Sequence, residues 1–193
     1  TTANQISGVI RSTQLFQDIE DRLAKLATIH EISMALTSTL DLNQLLSLIA
    51  RNTTTSLHAQ GCTIHLLDLP AGAGENRELR LKFVDELVRD FDKLFGGPML
   101  ASIIQDKRPL LIADTSQDTR FPGSSGLQSV SIISVPLIFH YRVTGVVTLF
   151  STEQGQPFND DDLQFLTTIA SGAAVAVENA ALFEREERLA SDA

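Results

Sequence analysis

Both ends of the chain carry apolar residues at helical spacing. Near the start, Phe16, Ile19, Leu23 and Leu26 follow the three-four spacing of a coiled-coil seam, which predicts a helix over residues 16–36. Asp41, followed three residues later by Gln44, resembles a capping box and predicts a second helix that runs to about residue 58. The last helix begins after Pro157 and has one apolar side, formed by Leu163, Leu166, Ile169, Ala173 and Val177.

The middle of the chain is divided into short elements, and all six prolines lie between residues 70 and 157. Residues 62–67, 78–84 and 110–114 are predicted strands, the first two forming a hairpin. Residues 85–95 carry a short helical stripe, and we expect Gly96-Gly97-Pro98 to break it before two further helical turns at 99–105.

The stretch 129–152 is long and apolar enough to raise the question of a membrane span, which needs about 20 residues. It contains Pro136 and Gly145, is rich in β-branched residues, and has Arg142 at its centre, where a bilayer tolerates charge least. We therefore predict two core strands, about 129–139 and 143–152, joined by a polar turn at His140-Tyr141-Arg142.

Composition narrows the classes of function. The net charge is −9, which argues against a nucleic-acid or anionic-membrane surface. The single cysteine, Cys62, permits neither an intramolecular disulfide nor a cysteine-based zinc site, and it fits a reduced, cytoplasmic setting. No two of the four histidines have the spacing of a helical metal pair. The N-terminus lacks a signal-peptide pattern, and we expect it to be the cut end of a longer protein.

Several motifs, taken in order, resemble the GAF domain, a sensory relative of the PAS fold. Any one of them is weak evidence, but together they span roughly residues 23–185. They are the segment Lys107–Asp114 (KRPLLIAD), the loop Asp118–Phe121 (DTRF), Ser131 with Val135-Pro136-Leu137, the triplet Gly145-Val146-Val147, the acidic cap Phe158–Leu163 (FNDDDL) and the small-residue run Ala170–Ala176.

The resemblance implies an α+β sandwich. It predicts a central antiparallel sheet of about six strands, with the terminal helices on one face and short helices and loops over a ligand pocket on the other. It also implies a helical extension over residues 1–22, a GAF domain over 23–185 and the start of a signalling helix or linker over 186–193. The implied role is a non-catalytic sensor in a bacterial signalling protein, whose output domain is a histidine kinase of a two-component system, a cyclic-dinucleotide enzyme or a transcriptional regulator.

We expect the ligand to be a small molecule held in an apolar pocket with a few polar groups at its rim. Ser131, Ile133 and Val135 share one face of their strand because side chains alternate, and we expect that face to meet the ligand. The full set of candidate ligand-binding residues is Phe91, Phe95, Met99, Ile103, Asp114, Thr115, Arg120, Phe121, Ser131, Ile133 and Val135. The alternative is that these side chains fill the space and the domain serves only for dimerisation.

Other branches of the family fit less well. Free methionine sulfoxide reductases rely on several cysteines, and bilin-binding members need an attachment cysteine that is usually followed by histidine, whereas Cys62 precedes Thr63. The Asn-Lys pair of many cyclic-nucleotide-binding members is absent. A haem has no supporting motif. We therefore expect no enzymatic activity, no cofactor and no metal.

The terminal helices predict a partner. Both are longer than a lone domain requires, so we expect a parallel homodimer formed through a helical bundle that continues into the output domain. The candidate interface residues are Phe16, Ile19, Leu23, Leu26, Ala173, Val177, Ala180 and Leu182.

Overall fold

A computed structural model describes residues 41–67, 79–84, 89–118, 130–152 and 156–191 of the chain. Three helices and five strands lie in these ranges. The helices are α1 (Leu42–Ser56), α2 (Arg89–Asp106) and α3 (Asp160–Ser191), and the strands are β1 (Gly61–Leu67), β2 (Leu79–Val84), β3 (Leu110–Ile112), β4 (Val130–Phe139) and β5 (Arg142–Thr152). The predicted helix over residues 16–36 lies outside the described residues.

The strands form one antiparallel sheet in the order β2-β1-β5-β4-β3. This is the α+β arrangement that was predicted, with helices packed against both faces of the sheet. The expected count of about six strands is wrong for the described residues, which contribute five. These five are the strands that the pattern of apolar residues had located, and only the family resemblance had suggested a sixth.

Helices α1 and α3 cover one face of the sheet. Their apolar sides pack on alternate residues of the central strands, which form the larger hydrophobic core. The strand residues in this core include Cys62, Ile64, Leu66, Ile133, Val135, Leu137, Val147 and Leu149. Helix α1 begins as predicted, with the Asp41 carboxylate accepting hydrogen bonds from the backbone N–H groups of Asn43 and Gln44 (2.8 and 3.1 Å).

The stretch 129–152 forms the predicted hairpin, because β4 and β5 pair from Val130–Thr152 to Phe139–Arg142. His140 and Tyr141 form its turn, both with positive φ (45° and 65°), as two-residue hairpin turns require. Pro136 lies in β4 beyond the end of β3, which pairs only with residues 132–134. In the described part of the chain β4 has no neighbour on that side of Pro136, so its missing N–H is tolerated.

Helix α2 corrects one prediction. Gly96-Gly97-Pro98 does not break the helix, which runs without interruption from Arg89 to Asp106 with Pro98 inside it. A proline within a helix removes one hydrogen bond and crowds the preceding turn. The helix continues past Pro98 although this residue cannot donate the backbone hydrogen bond of its position.

Helix α3 contains the only segment of the described residues, Asp160–Phe183, that is long and apolar enough to cross a membrane. In its most apolar window, 56% of the residues are buried inside the domain. Its apolar side packs against the sheet and α1, which explains the composition without a bilayer.

Candidate functional site

The candidate site lies on the face of the sheet that α2 covers. Met99, Leu100 and Ile103 of α2 are buried there against the sheet. Their partners are Ile112, Val130, Ile132, Val146 and Phe150. Met99 and Ile103 therefore lie over the sheet, as the sequence indicated. Phe91 and Phe95 belong to the same helix, but their side chains lie outside the described residues.

Three hydroxyl groups form a row across the centre of this face. Thr63 in β1 is paired with Thr148 in β5, which is paired with Ser134 in β4. All three residues have 0% exposure. The hydroxyls of Ser134 and Thr148 are hydrogen-bonded to each other (2.7 Å), whereas that of Thr63 has no hydrogen-bond partner within the described residues. Buried polar groups are usually paired, so this row is unusual for a simple core.

His65 lies two residues beyond Thr63 on the same face of β1. It is 6% exposed and pairs with Val146 on one side and Leu81 on the other. The α2-covered face thus combines a hydrophobic half with a polar half that consists of Thr63, His65, Ser134 and Thr148.

Ile133 and Val135 were predicted to line the ligand pocket, but the structure places them elsewhere. Both are packed in the core formed with α1 and α3, on the opposite face from Met99 and Ile103. Side-chain alternation correctly placed them on one face but did not determine which face it was. Because side chains alternate with a period of two, the residues next to these in the sequence (132 and 134) lie on the other face of the sheet.

Ser131 has a structural role on that same face. Its hydroxyl donates to the carbonyl of Ile112 (3.0 Å) and accepts from the N–H of Phe158 (2.9 Å). It therefore ties β3 and the segment that leads into α3 to β4. These two bonds occupy a hydroxyl that the sequence had suggested for a ligand.

Asp114 and Thr115 stabilise the loop after β3. The Asp114 carboxylate accepts from the N–H and hydroxyl of Ser116 (2.8 and 2.7 Å). Thr115 exchanges hydrogen bonds with Val130, accepting through its hydroxyl at 3.1 Å and donating through its N–H at 2.9 Å. Arg120 and Phe121, the other predicted residues of this rim, lie outside the described residues.

The residues predicted to form the dimer interface lie in different environments. Ala173, Val177 and Ala180 are buried in the core against α1 and the sheet, so they are not available to a second chain. They lie on the inner side of α3 because the same small-residue side has to pack closely on the sheet. Leu182 is exposed. Phe16, Ile19, Leu23 and Leu26 lie outside the described residues.

The sequence reasoning missed the polar row. A signal for it was present, since Cys62, Ile64 and Leu66 are uniformly apolar whereas Thr63 and His65 between them are polar. The apolar set is the one that a pair of long helices would cover, and the polar set marks the other face. Register across the strands would then have added Thr148 and Ser134.

The described residues also line an open groove at a different place. The groove, of about 520 Å³, lies beside Pro109 and the first turns of α3, where Asp160, Leu163, Gln164, Thr167, Thr168 and Ser171 line it. Because the groove is open to solvent and lined mainly by α3 itself, it does not exclude water. The α2-covered face is the better candidate for binding a small molecule.

Comparisons with known proteins agree with this architecture. A family model described as "GAF domain" matches residues 39–178, more than half of the chain. Among solved structures, the GAF domain of a phosphoenolpyruvate-protein phosphotransferase from Coxiella burnetii is 19% identical, with a TM-score of 0.64 over 82% of this chain and 95% of that one.

Two further structures show how varied proteins with this fold are. A segment of a methyl-accepting chemotaxis protein is 18% identical (TM-score 0.55; 79% of this chain and 98% of that one). Free methionine-R-sulfoxide reductase from Neisseria meningitidis, solved in complex with its substrate, is 16% identical (TM-score 0.58; 81% and 89%). At these identities the structures establish the fold alone, and the family match supplies the assignment: the chain belongs to the GAF domain family.

Proposed function

We propose that the chain is a non-catalytic sensory module that binds a small molecule between α2 and the sheet and signals through its terminal helices. The observation that carries the proposal is the buried hydroxyl of Thr63, which lacks a partner in the described residues beside the Ser134–Thr148 pair. A domain that needed only a core would place apolar side chains there. The likeness to a chemotaxis protein supports a signalling role.

The polar row is equipped to orient a ligand. The Thr63 hydroxyl can donate one hydrogen bond and accept another. In the Ser134–Thr148 pair one hydroxyl donates to the other, which leaves one further proton for an acceptor. A ligand that carries an acceptor oxygen or nitrogen would satisfy these groups, while Met99, Ile103 and Phe150 would contact its apolar part.

Entry of a ligand requires movement. Thr63, Ser134 and Thr148 are fully buried, so no ligand reaches them in the packing described. We expect binding to displace α2, which packs on the same face, relative to the sheet. A ligand that binds only the displaced arrangement shifts the population toward it, which is the basis of a sensor.

A thermal-shift screen tests the binding site. The panel consists of free amino acids, 2-oxo acids, nucleobases and cyclic nucleotides. We expect a compound that raises the melting temperature of the wild type and loses this effect in Thr63→Val. Ser171→Ala, a change in the open groove beside α3, should keep the effect. A hit whose effect survives Thr63→Val and is lost in Ser171→Ala would place the site in the groove and contradict the proposal.

The position of Cys62 supports a non-catalytic role. It is buried in the core with α1 and α3, on the face opposite the polar row. A cysteine there cannot contact a ligand held beneath α2. Reduction of free methionine sulfoxide by the purified protein, lost in Cys62→Ser, would overturn this part of the proposal.

We also propose a parallel homodimer, now through the outer side of α3. Val175 and Leu182 are each 46% exposed and, with Asn179 between them, follow the spacing of a coiled-coil seam. Sedimentation should show a wild-type dimer that Leu182→Asp converts to a monomer. Ala101→Asp, at an exposed position of α2, should leave the dimer intact. A wild-type monomer at high concentration would contradict the dimer.

The remaining parts of the proposal concern the parent protein. A cytoplasmic, bacterial signalling protein with a covalently linked output domain, such as a histidine kinase, fits a module whose last helix runs on to Ser191. The output domain would read a change in the relative position of the terminal helices.

A further inference from the structure

The turn between β4 and β5 is tied to two helices on opposite faces of the sheet. On one side, Lys107 Nζ donates a hydrogen bond to the carbonyl oxygen of Tyr141 (2.9 Å). On the other side, Arg142 Nη2 donates to Glu178 Oε1 (2.6 Å). Lys107 directly follows α2, and Glu178 lies within α3. Tyr141 in the turn and the next residue, Arg142, therefore connect the end of α2 to α3.

Lys107 is held firmly to the end of α2. Its backbone N–H donates to the carbonyl of Ile103 (2.9 Å), and its φ of 54° turns the chain out of the helix. The Ile103 side chain, on the side of α2 that faces the sheet, is buried there. A displacement of the last turn of α2 therefore moves the Lys107 ammonium group relative to the hairpin.

The hairpin turn has a defined shape. Both of its residues, His140 and Tyr141, have positive φ, which is uncommon for residues other than glycine. The ring of His140 stacks on that of Phe139 with centroids 4.2 Å apart. Because the turn is short and constrained, the carbonyl of Tyr141 and the side chain of Arg142 are expected to move together.

The burial of Glu178 strengthens its ion pair with Arg142. Glu178 is 6% exposed, whereas the Arg142 side chain is 40% exposed. A buried carboxylate that loses its cation is costly, so the pair resists separation. A cavity of about 30 Å³ beside the pair, lined by Leu66, Leu67, Thr144, Val177 and Ala181, leaves space for little more than one water molecule. Because Glu178 lies within α3, a movement of the Arg142 side chain acts on that helix through the ion pair.

We propose that this hairpin turn is a mechanical link, in which the Lys107–Tyr141 and Arg142–Glu178 contacts transmit a displacement of α2 to the second half of α3. The inference rests on the proposed function only for what displaces α2, namely a ligand. The link itself is a property of the fold and can be tested without any ligand.

Native-state hydrogen exchange measures the link in the full chain. Ile103→Ala loosens the packing of α2 and serves as the perturbation. The readout is the amide exchange rate of the peptide covering residues 174–183 of α3, divided by the amide exchange rate of α1. Helix α1 is the reference because it packs in the same core but takes no part in the two contacts with the hairpin. We expect Ile103→Ala to raise this ratio on the order of tenfold.

Variants of the link should cancel that effect. In Lys107→Met and in Arg142→Gln, Ile103→Ala should no longer raise the ratio. Lys107→Met alters an exposed side chain and keeps the test valid if Arg142→Gln fails to fold. Arg142→Lys keeps a cation near Glu178 and should restore part of the response. The matched control is Arg108→Met, which removes the neighbouring exposed cation and should leave the response unchanged.

Two results would overturn the inference. One is an equal response of α1 and α3 to Ile103→Ala in the wild-type background, which means that α2 perturbs the whole domain. The other is an undiminished α3 response in Lys107→Met, which means that the displacement passes through the sheet. Neither result bears on whether a small molecule binds under α2, so failure of the link and failure of the proposed function are distinguishable.

Discussion

The hydroxyls of Ser134 and Thr148 lie 2.7 Å apart on neighbouring strands, fully buried on the face of the sheet that α2 packs against. A buried hydrogen bond contributes less to the free energy of unfolding than is lost when one of its two groups stays buried without a partner. We predict that Ser134→Ala and Thr148→Val each destabilise the domain by about 1–2 kcal/mol. The double variant should be less destabilised than the sum of the two, because both polar groups are then gone.

Urea unfolding of the four proteins in this cycle provides the measurement. Strict additivity of the two single changes would show that the hydroxyls do not interact, against the described geometry.

Thr63→Val should have the opposite effect on stability. The change keeps the shape of the side chain and removes a buried hydroxyl that has no partner in the described residues. We predict a gain of about 1 kcal/mol in the free energy of unfolding. Thr148→Val is the matched control, since the same substitution there breaks a hydrogen bond. A loss of stability in Thr63→Val comparable to that in Thr148→Val would mean that the Thr63 hydroxyl is satisfied within the chain.

Gly145 is required by the close approach of β1 and β5. A Cβ atom at this position would lie 2.5 Å from the carbonyl oxygen of His65 and 2.7 Å from Leu66 Cδ2. We predict that Gly145→Ala lowers the free energy of unfolding by about 2–3 kcal/mol, because the neighbouring backbone cannot move away without disturbing the sheet. Denaturant unfolding measures the change.

Gly97→Ala is the control for that prediction. A Cβ atom at Gly97 would meet nothing within 4 Å, and the residue lies within α2. The gain in helix propensity is opposed by the following Pro98, which disfavours helical backbone in the residue before it. We expect a change within about 0.5 kcal/mol. Similar losses for the two variants would argue against a steric cause at Gly145.

Substitution of Ser131 should affect stability but not ligand binding. Ser131→Ala leaves the Ile112 carbonyl and the Phe158 N–H without the hydroxyl that now joins them. We predict a loss of about 1–3 kcal/mol and no change in the affinity of any ligand found in the thermal-shift screen. Isothermal titration at a temperature where the variant is fully folded checks the second part. A loss of affinity with stability unchanged would restore Ser131 to the binding site.

The sequence was sufficient for the elements whose pattern is local. The cap at Asp41, the hairpin with its turn at His140 and Tyr141, and the final helix after Pro157 were all predictable, because each depends on residues close together in the chain. The continuity of α2 was not predictable from the local pattern, since Gly96-Gly97-Pro98 is a sequence that usually interrupts a helix.

The candidate site was predictable only in part. Met99 and Ile103 could be assigned to the helix over the sheet, but the strand residues beneath them could not. Alternation gives two equivalent faces, and only packing against α1 and α3 assigns Ile133 and Val135 to one of them. The Thr63–Thr148–Ser134 row joins residues from three strands, so it exists only once the register between strands is known.

Native mass spectrometry of freshly purified protein, repeated after incubation with a small-molecule extract of cells, tests whether the domain holds a small molecule under α2. It reports the oligomeric state and any bound mass together. We expect a dimer that carries one discrete small-molecule mass for each protomer, and loss of that mass in Thr63→Val with the dimer preserved. Ligand-free protein in both preparations, with no mass taken up from the extract, would contradict the claim that the α2-covered face is a sensory site.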